Sequence, residues 1–194
     1  DQSVADAVTN TVEKFGAIQI AVNAAGIPAP TKILDRDGNP CQLDKFTKVI
    51  MVNLVGTFNV MSKCVAVMAR NAPDDLGERG VVINVSSGAA YEGQIGQAGY
   101  SASKAGVIGM NMPAARELGA VGVRVNAIAP GLFLTQMVKS LGEKVVVSLV
   151  DTVEAPRRAG DPMEFAHACQ FIVENGYLNG ETIRLDAATR LRAR

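Results

Sequence analysis

Apolar residues along the chain follow two rhythms that take turns. Val4, Ala7, Val8, Thr11, Val12 and Phe15 recur at helical spacing, which predicts a helix over Ser3–Phe15 with Ser3 as N-cap and Gly16 as its stop. Ala17–Val22 then reads AIQIAV, a short apolar run that predicts a buried parallel strand. The run beginning at Gly80 (Val81, Val82, Ile83, Val85), Val121–Ala129 and Glu181–Leu185 predict three more strands. Helical patterns lie between them. Leu43–Arg70 is a long one with Asp44 as a possible N-cap, and Ser101–Leu118 offers a small-residue face at Gly106, Gly109 and Ala114. Two short helices are expected before Pro156, and Asp161-Pro162 opens a last helix to Glu174, with Asp as N-cap and Pro in the first turn. Ile27–Gln42 and Asn71–Arg79 are polar and rich in turn residues, and the basic tail Arg190–Arg194 reads as loose. Strands separated by helices predict an α/β fold with a parallel sheet.

Bulk properties narrow the picture mostly by exclusion. The 194 residues suit a single domain over 1–194 with a substantial core. Nineteen basic and nineteen acidic residues balance, so charge gives no ground for nucleic acid or an anionic membrane as partner. Cys41, Cys64 and Cys169 form no metal-ligand spacing and read as reduced thiols in a reducing compartment. The single histidine, His167, stands away from the polar motifs, so neither a Ser/His/Asp triad nor a metal site is expected. No apolar run is read as approaching the ~20 residues of a membrane span, and no signal-peptide pattern opens the chain. The expectation is a soluble, cytoplasmic protein, with the mitochondrial matrix as the alternative.

Candidate chemistry concentrates in GVVINVSSGAAYEGQIGQAGYSASK, Gly80–Lys104. Ser86 and Ser87 end a strand pattern, where open α/β sheets bind ligands. Tyr100 and Lys104 are one helical turn apart and share a face. A free phenol ionises near ~10, too high for proton transfer around neutrality. An ammonium one turn away would favour the phenolate and lower that value. A helix surface also produces such a pair by chance, and two serines after a strand also serve as turn or cap residues, which suits Ser86.

The joint occurrence of these residues resembles the short-chain dehydrogenase/reductase family, whose signature places a Ser after a strand at this separation from Tyr-x-x-x-Lys. The resemblance implies a Rossmann-type doubly wound parallel sheet and a nicotinamide cofactor. It assigns catalysis to Asn53, Ser87, Tyr100 and Lys104. Tyr100 would be the acid/base, Ser87 would hold the substrate oxygen, Lys104 would also reach the nicotinamide ribose, and Asn53 would hold a water in a proton relay. Asn23-Ala24-Ala25-Gly26 is similar to the family's Asn-Asn-Ala-Gly, with Ala24 in place of the second Asn. Asn23, Ala24 and Gly26 are therefore cofactor candidates, a structural role for Asn23 being the alternative. Pro130, Gly131 and Thr135 match Pro-Gly-x-x-x-Thr, which holds the carboxamide, and Phe133 faces either cofactor or core. Against this family the chain is expected to enter the fold after its third strand. The half-sheet with the glycine-rich phosphate turn, roughly 60 residues as two crossovers, would then lie outside the chain.

EGQIGQAGYSASKAGV, APGLFLT and YLNGETIRLDAATR narrow the resemblance to a 3-hydroxyacyl-CoA and 17β-hydroxysteroid dehydrogenase branch of the family. That branch implies NAD (NADP not excluded), a 3-hydroxyacyl-CoA or hydroxysteroid-like secondary alcohol, and a homotetramer built on the helices from Leu43 and Ser101. Gln94 and Gln97 become substrate candidates by the same resemblance. Two alternatives stand beside this one: an NADPH-dependent 3-oxoacyl-carrier-protein reductase, and an inactive fragment or interaction module with an uncovered edge at Ala17–Val22.

Overall fold

The computed structural model describes residues 1–139 and 142–193. Four parallel strands, β1 (Ile20–Asn23), β2 (Gly80–Val85), β3 (Val123–Pro130) and β4 (Thr182–Leu185), lie side by side in chain order. The central pair are buried almost from end to end because helices cover both their faces, and Asn84, Arg124 and Asn126 are buried in them among apolar residues. On one face Val82, Val123 and Val125 pack with Met61, Cys64, Val65, Met68 and Ala115. On the other, Val81, Ile83 and Ile128 pack with Ile172 and the residues around it. This is the sandwich of helix, sheet and helix expected of a doubly wound fold.

β1 departs from the expected buried strand. Ala21 and Asn23 are buried, whereas Ile20 and Val22 are about half exposed. Their partners in register are Val81 and Ile83, so they face the side covered by α7 (Pro162–Glu174). That helix sits over β2 and β3 and stops short of β1. Among the described residues β1 is an edge strand with one side open.

The first helix, α1, runs Gln2–Phe15, so Asp1 rather than Ser3 stands at its N-cap. Gly16 ends it at φ 84°, a conformation that costs any residue with a Cβ. The long helix is continuous but not uniform. α2 (Leu43–Ile50) passes through a π-helical stretch, Met51–Val55, into α3 (Gly56–Met68). The Gly56 N–H reaches back five residues to the Met51 carbonyl. Gln42, not Asp44, occupies the cap position, and Asp44 lies in the first turn, where its charge suits the helix dipole.

Leu43–Met68 also corrects the expectation about apolar runs. It is 26 residues long with a window of mean hydropathy 1.5, long and apolar enough to cross a membrane by those measures. In the fold Met61, Cys64, Val65 and Met68 pack on the sheet, and the helix also lies against α4 (Ala98–Leu118).

α4 begins three residues before Ser101, which puts Tyr100 and Lys104 inside regular helix. The expected small-residue face is realised only in part. A Cβ at Gly106 would come within 2.8 Å of the Leu54 side chain, so the two helices meet there, whereas nothing lies within 4 Å of Gly109. α5 (Gln136–Lys139) and α6 (Glu143–Val150) are the two short helices. α7 starts with a full capping box: Asp161 accepts from the Met163 N–H, and the Glu164 side chain returns to the Asp161 N–H. The tail is not loose as far as Ala193. Arg190 pairs with Asp186 and Glu92, and the Ile95 N–H donates to the Ala193 carbonyl at 3.1 Å.

Candidate active site

The C-terminal ends of β1, β2 and β3 open on one cleft of about 480 Å³. This is where parallel sheets place ligands, because each strand hands its chain to a loop there. Ala24 and Gly26 line it from the end of β1, Ser86 and Ser87 from β2, and Pro130, Gly131, Phe133 and Thr135 from β3. Tyr100 and Lys104 enter from α4. Nine candidates drawn from four separate stretches of sequence therefore share one wall-to-wall space.

Ser87 caps a short 3₁₀ turn, Gly88–Ala90, its hydroxyl accepting from the Ala89 N–H at 3.2 Å. The same hydroxyl is hydrogen-bonded to Tyr100. Burial pushes the Tyr100 phenol above its ordinary value, and the Ser87 hydrogen bond works in the opposite direction. This differs from the expectation that Lys104 lowers it. The Lys104 ammonium stands 5.9 Å from the phenol ring centroid and is only 4 % exposed, donating to the Val85 carbonyl at 2.8 Å. Its own pKa is held down to about 8 by burial. Burial is the leading cause of both shifts. With its pKa at about 8, Lys104 stays mostly charged at neutral pH.

Asn53 does not line the cleft. It is fully buried in the π-helical stretch, and its amide is committed to three partners. The side-chain oxygen accepts from the Ile27 N–H at 2.8 Å, while Nδ2 donates to the Ile27 carbonyl at 3.0 Å and to the Ser103 hydroxyl at 3.1 Å. Ser103 in turn donates to the Tyr100 carbonyl at 2.7 Å. Asn53 thus pins the loop after β1 and braces the helix turn that carries Tyr100. Asn23 is likewise held inside the sheet, donating to the Asn84 side chain at 2.8 Å, which favours its structural alternative.

Gln94 and Gln97 are not brought to the cleft. They bond to each other, Gln97 Oε1 accepting from the Gln94 N–H at 3.0 Å, and line a shallow shelf with Thr31 and Lys32. Phe133 does both of the things left open for it. It lines the cleft, and its ring meets Phe165 edge-on at 5.9 Å and lies where a Cβ on Gly160 would stand.

Several participants carry no spacing signal. Ser86 looks like a turn residue in sequence, but its buried hydroxyl donates to the Lys104 carbonyl at 2.8 Å and ties α4 to β2. Ser103 lies between Tyr100 and Lys104 in the motif, and its bonds to Asn53 and the Tyr100 carbonyl distinguish it from Ser101. Ile27 acts through its backbone alone.

The cleft fits the nicotinamide end of a dinucleotide. Its walls are mainly apolar, with the Ser87 and Tyr100 hydroxyls, the Lys104 ammonium and Thr135 as isolated polar groups. At Gly26 a Cβ would stand 3.2 Å from Asn53 Oδ1 and 3.5 Å from Lys104 Nζ, filling space that the glycine leaves beside the ammonium. Gly131 similarly packs its backbone against Asp186, where a Cβ would meet Asp186 Cα at 2.8 Å.

Comparison with known proteins agrees with this geometry. The family model described as short chain dehydrogenase matches residues 1–146. The chain is 50% identical over 193 residues to a Rattus norvegicus 3-hydroxyacyl-CoA dehydrogenase type-2, covering 99% of this chain and 74% of that protein. A Drosophila melanogaster protein of the same name is 45% identical, with 98% and 75% covered. The crystal structure of 3-hydroxyacyl-CoA dehydrogenase type-2 from Mycobacterium avium superposes with a TM-score of 0.91 at 41% identity, covering 98% of this chain and 75% of that one. The chain is an oxidoreductase that uses a nicotinamide cofactor on a small hydroxyl- or keto-bearing substrate, and it belongs to the short-chain dehydrogenase family.

Proposed function

We propose that this protein uses NAD to interconvert the secondary alcohol and ketone of a 3-hydroxyacyl-CoA. The observation that carries the reading is the Ser87–Tyr100 hydroxyl pair beside a buried Lys104 at the ends of parallel strands. The names of the relatives support the substrate, and the resemblance to their branch of the family supports NAD. When bound, the nicotinamide supplies the hydride chemistry at the carbinol carbon.

The chain's own residues handle the oxygen. Ser87 donates a hydrogen bond to it and fixes its direction toward Tyr100. Tyr100 takes the alcohol proton in oxidation and returns it in reduction. Lys104, oriented by the Val85 carbonyl, supplies positive charge that favours the phenolate once substrate and cofactor exclude water from the cleft. Gly26, Pro130, Gly131, Phe133 and Thr135 would hold the cofactor's nicotinamide end, with Ala24 contributing backbone. Asn53 acts by bracing, through Ile27 and Ser103.

The test is oxidation of NADH with acetoacetyl-CoA, against NADPH and against a 3-oxoacyl-carrier-protein. Turnover should be highest with NADH and the CoA ester, and Tyr100→Phe should abolish it. Preference for NADPH with the carrier-protein substrate would replace this reading by the reductase one. Full turnover in Tyr100→Phe would refute the acid/base assignment.

The long helix also exposes Leu43, Phe46, Met51, Val55 and Phe58. That apolar stripe supports assembly into a homotetramer through this helix. A monomeric elution volume in size-exclusion chromatography would count against it.

A further inference from the structure

An ion cluster behind the cleft joins its two walls. Arg184, on β4, is its centre. Its Nη2 contacts both oxygens of Glu92, at 2.7 and 2.9 Å, and its Nε donates to Asp186. The guanidinium also lies 4.9 Å over the Tyr91 ring, and Arg190 adds a second contact to both carboxylates. Asp186 is the most buried member, with a side chain 7 % exposed.

The two carboxylates belong to opposite sides of the site. Glu92 closes the turn that Ser87 caps, its N–H and that of Tyr91 both donating to the Gly88 carbonyl. Asp186 is the residue against which Gly131 packs, and the Gly131 N–H donates to the neighbouring Leu185 carbonyl at 2.9 Å. One side carries the substrate hydroxyl partner, and the other carries the nicotinamide turn. A planar guanidinium with donors on separate edges can serve both carboxylates at once, which a lysine point charge cannot.

We propose that Arg184 is a positioning residue, which through Glu92 sets the Ser87 turn and through Asp186 sets the Pro130–Gly131 turn, so that the two walls keep a fixed separation. The proposal rests on the reading of Ser87 and Tyr100 given above. None of Arg184, Glu92 and Asp186 lines the cleft, so their influence on the reaction is through placement alone.

The experiment is steady-state kinetics on Glu92→Gln and Arg184→Lys with Tyr100→Phe in parallel, alongside thermal melts. Glu92→Gln leaves the Arg184–Asp186 contact in place. It should lower kcat about tenfold, on the scale expected for sub-ångström misplacement of a reacting group, with the cofactor KM held within about twofold. Arg184→Lys keeps the charge and loses the fork, so it should lower kcat similarly and also raise the cofactor KM. Wild-type kcat in a folded Glu92→Gln, or wild-type values of both constants in Arg184→Lys, would overturn the proposal. So would kcat losses that only mirror the folded fraction. Retained turnover in Tyr100→Phe would instead refute the underlying site, whatever the other two variants do.

Discussion

The cleft and the shelf on either side of the Ser87–Tyr100 loop are built from the same kinds of residue and do different things. In the cleft, Ser87 comes from the end of β2 and Tyr100 and Lys104 from α4, and the three converge between apolar walls. On the shelf, Gln94 and Gln97 are three positions apart and spend their amides on each other. Burial makes the first set costly to leave unpaired and therefore exact in placement, whereas partly exposed amides are satisfied locally or by water. Polar groups that converge from distant segments in a dry space mark chemistry better than polar groups that neighbour each other in a loop.

The largest effect should come from Lys104. Its pKa of about 8 in the fold lies below the ordinary 10.5, because burial disfavours the charged form. Between those values the unfolded chain binds more protons than the folded one, so stability should climb as pH rises from 8 to 10.5. Below about 8 the burial cost is fully present, on the order of 3 kcal/mol. Lys104→Met should therefore lose turnover by about a hundredfold or more while removing that alkaline rise in stability. Denaturant midpoints across pH for both proteins check the sign. An identical alkaline slope in the two would mean that the ammonium is not desolvated and that the cleft is wetter than its walls suggest.

An intermediate effect is expected at the wall itself. Gly131→Ala places a Cβ 2.8 Å from the Asp186 backbone, which cannot swing aside as a side-chain tip can. It should lower stability by about 1–3 kcal/mol, read from denaturant melts, and weaken cofactor binding with it. If the variant were neutral, the contact between the nicotinamide turn and Asp186 would be looser than the geometry indicates.

The smallest effect should be on the shelf. Gln94→Ala and Gln97→Ala should each leave kcat within about threefold of wild type, since neither amide reaches the cleft and surface substitutions usually cost little. A large rise in substrate KM in either variant would reverse the comparison and make the shelf part of the substrate site.

The elements were largely legible because their signals are local. A helical period shows within a few turns, and a β-branched run shows within six residues; β2, α4 and the Asp161 N-cap of α7 follow from such local signals. The Tyr100–Lys104 pairing is legible for the same reason, as residues one turn apart on a helix must share a face. Asn53 marked its position as special, yet nothing in its neighbours announces a π-helical stretch or a bond to Ile27 twenty-six positions earlier. Ile20 and Val22 looked like core residues, and only the reach of α7 leaves them half exposed.

By itself, then, the sequence determined the alternation of strands and helices and the constellation of Ser87, Tyr100 and Lys104. Both depend on backbone geometry within a few residues and on a motif whose parts keep fixed separations. Tertiary structure alone decided that Gln94 and Gln97 turn away from the cleft and that Tyr100 is pushed up rather than down. It also brought Arg184 to Glu92, ninety-two positions away. Desolvation and ion pairing depend on which segments the folded chain stacks together, and no local period encodes that.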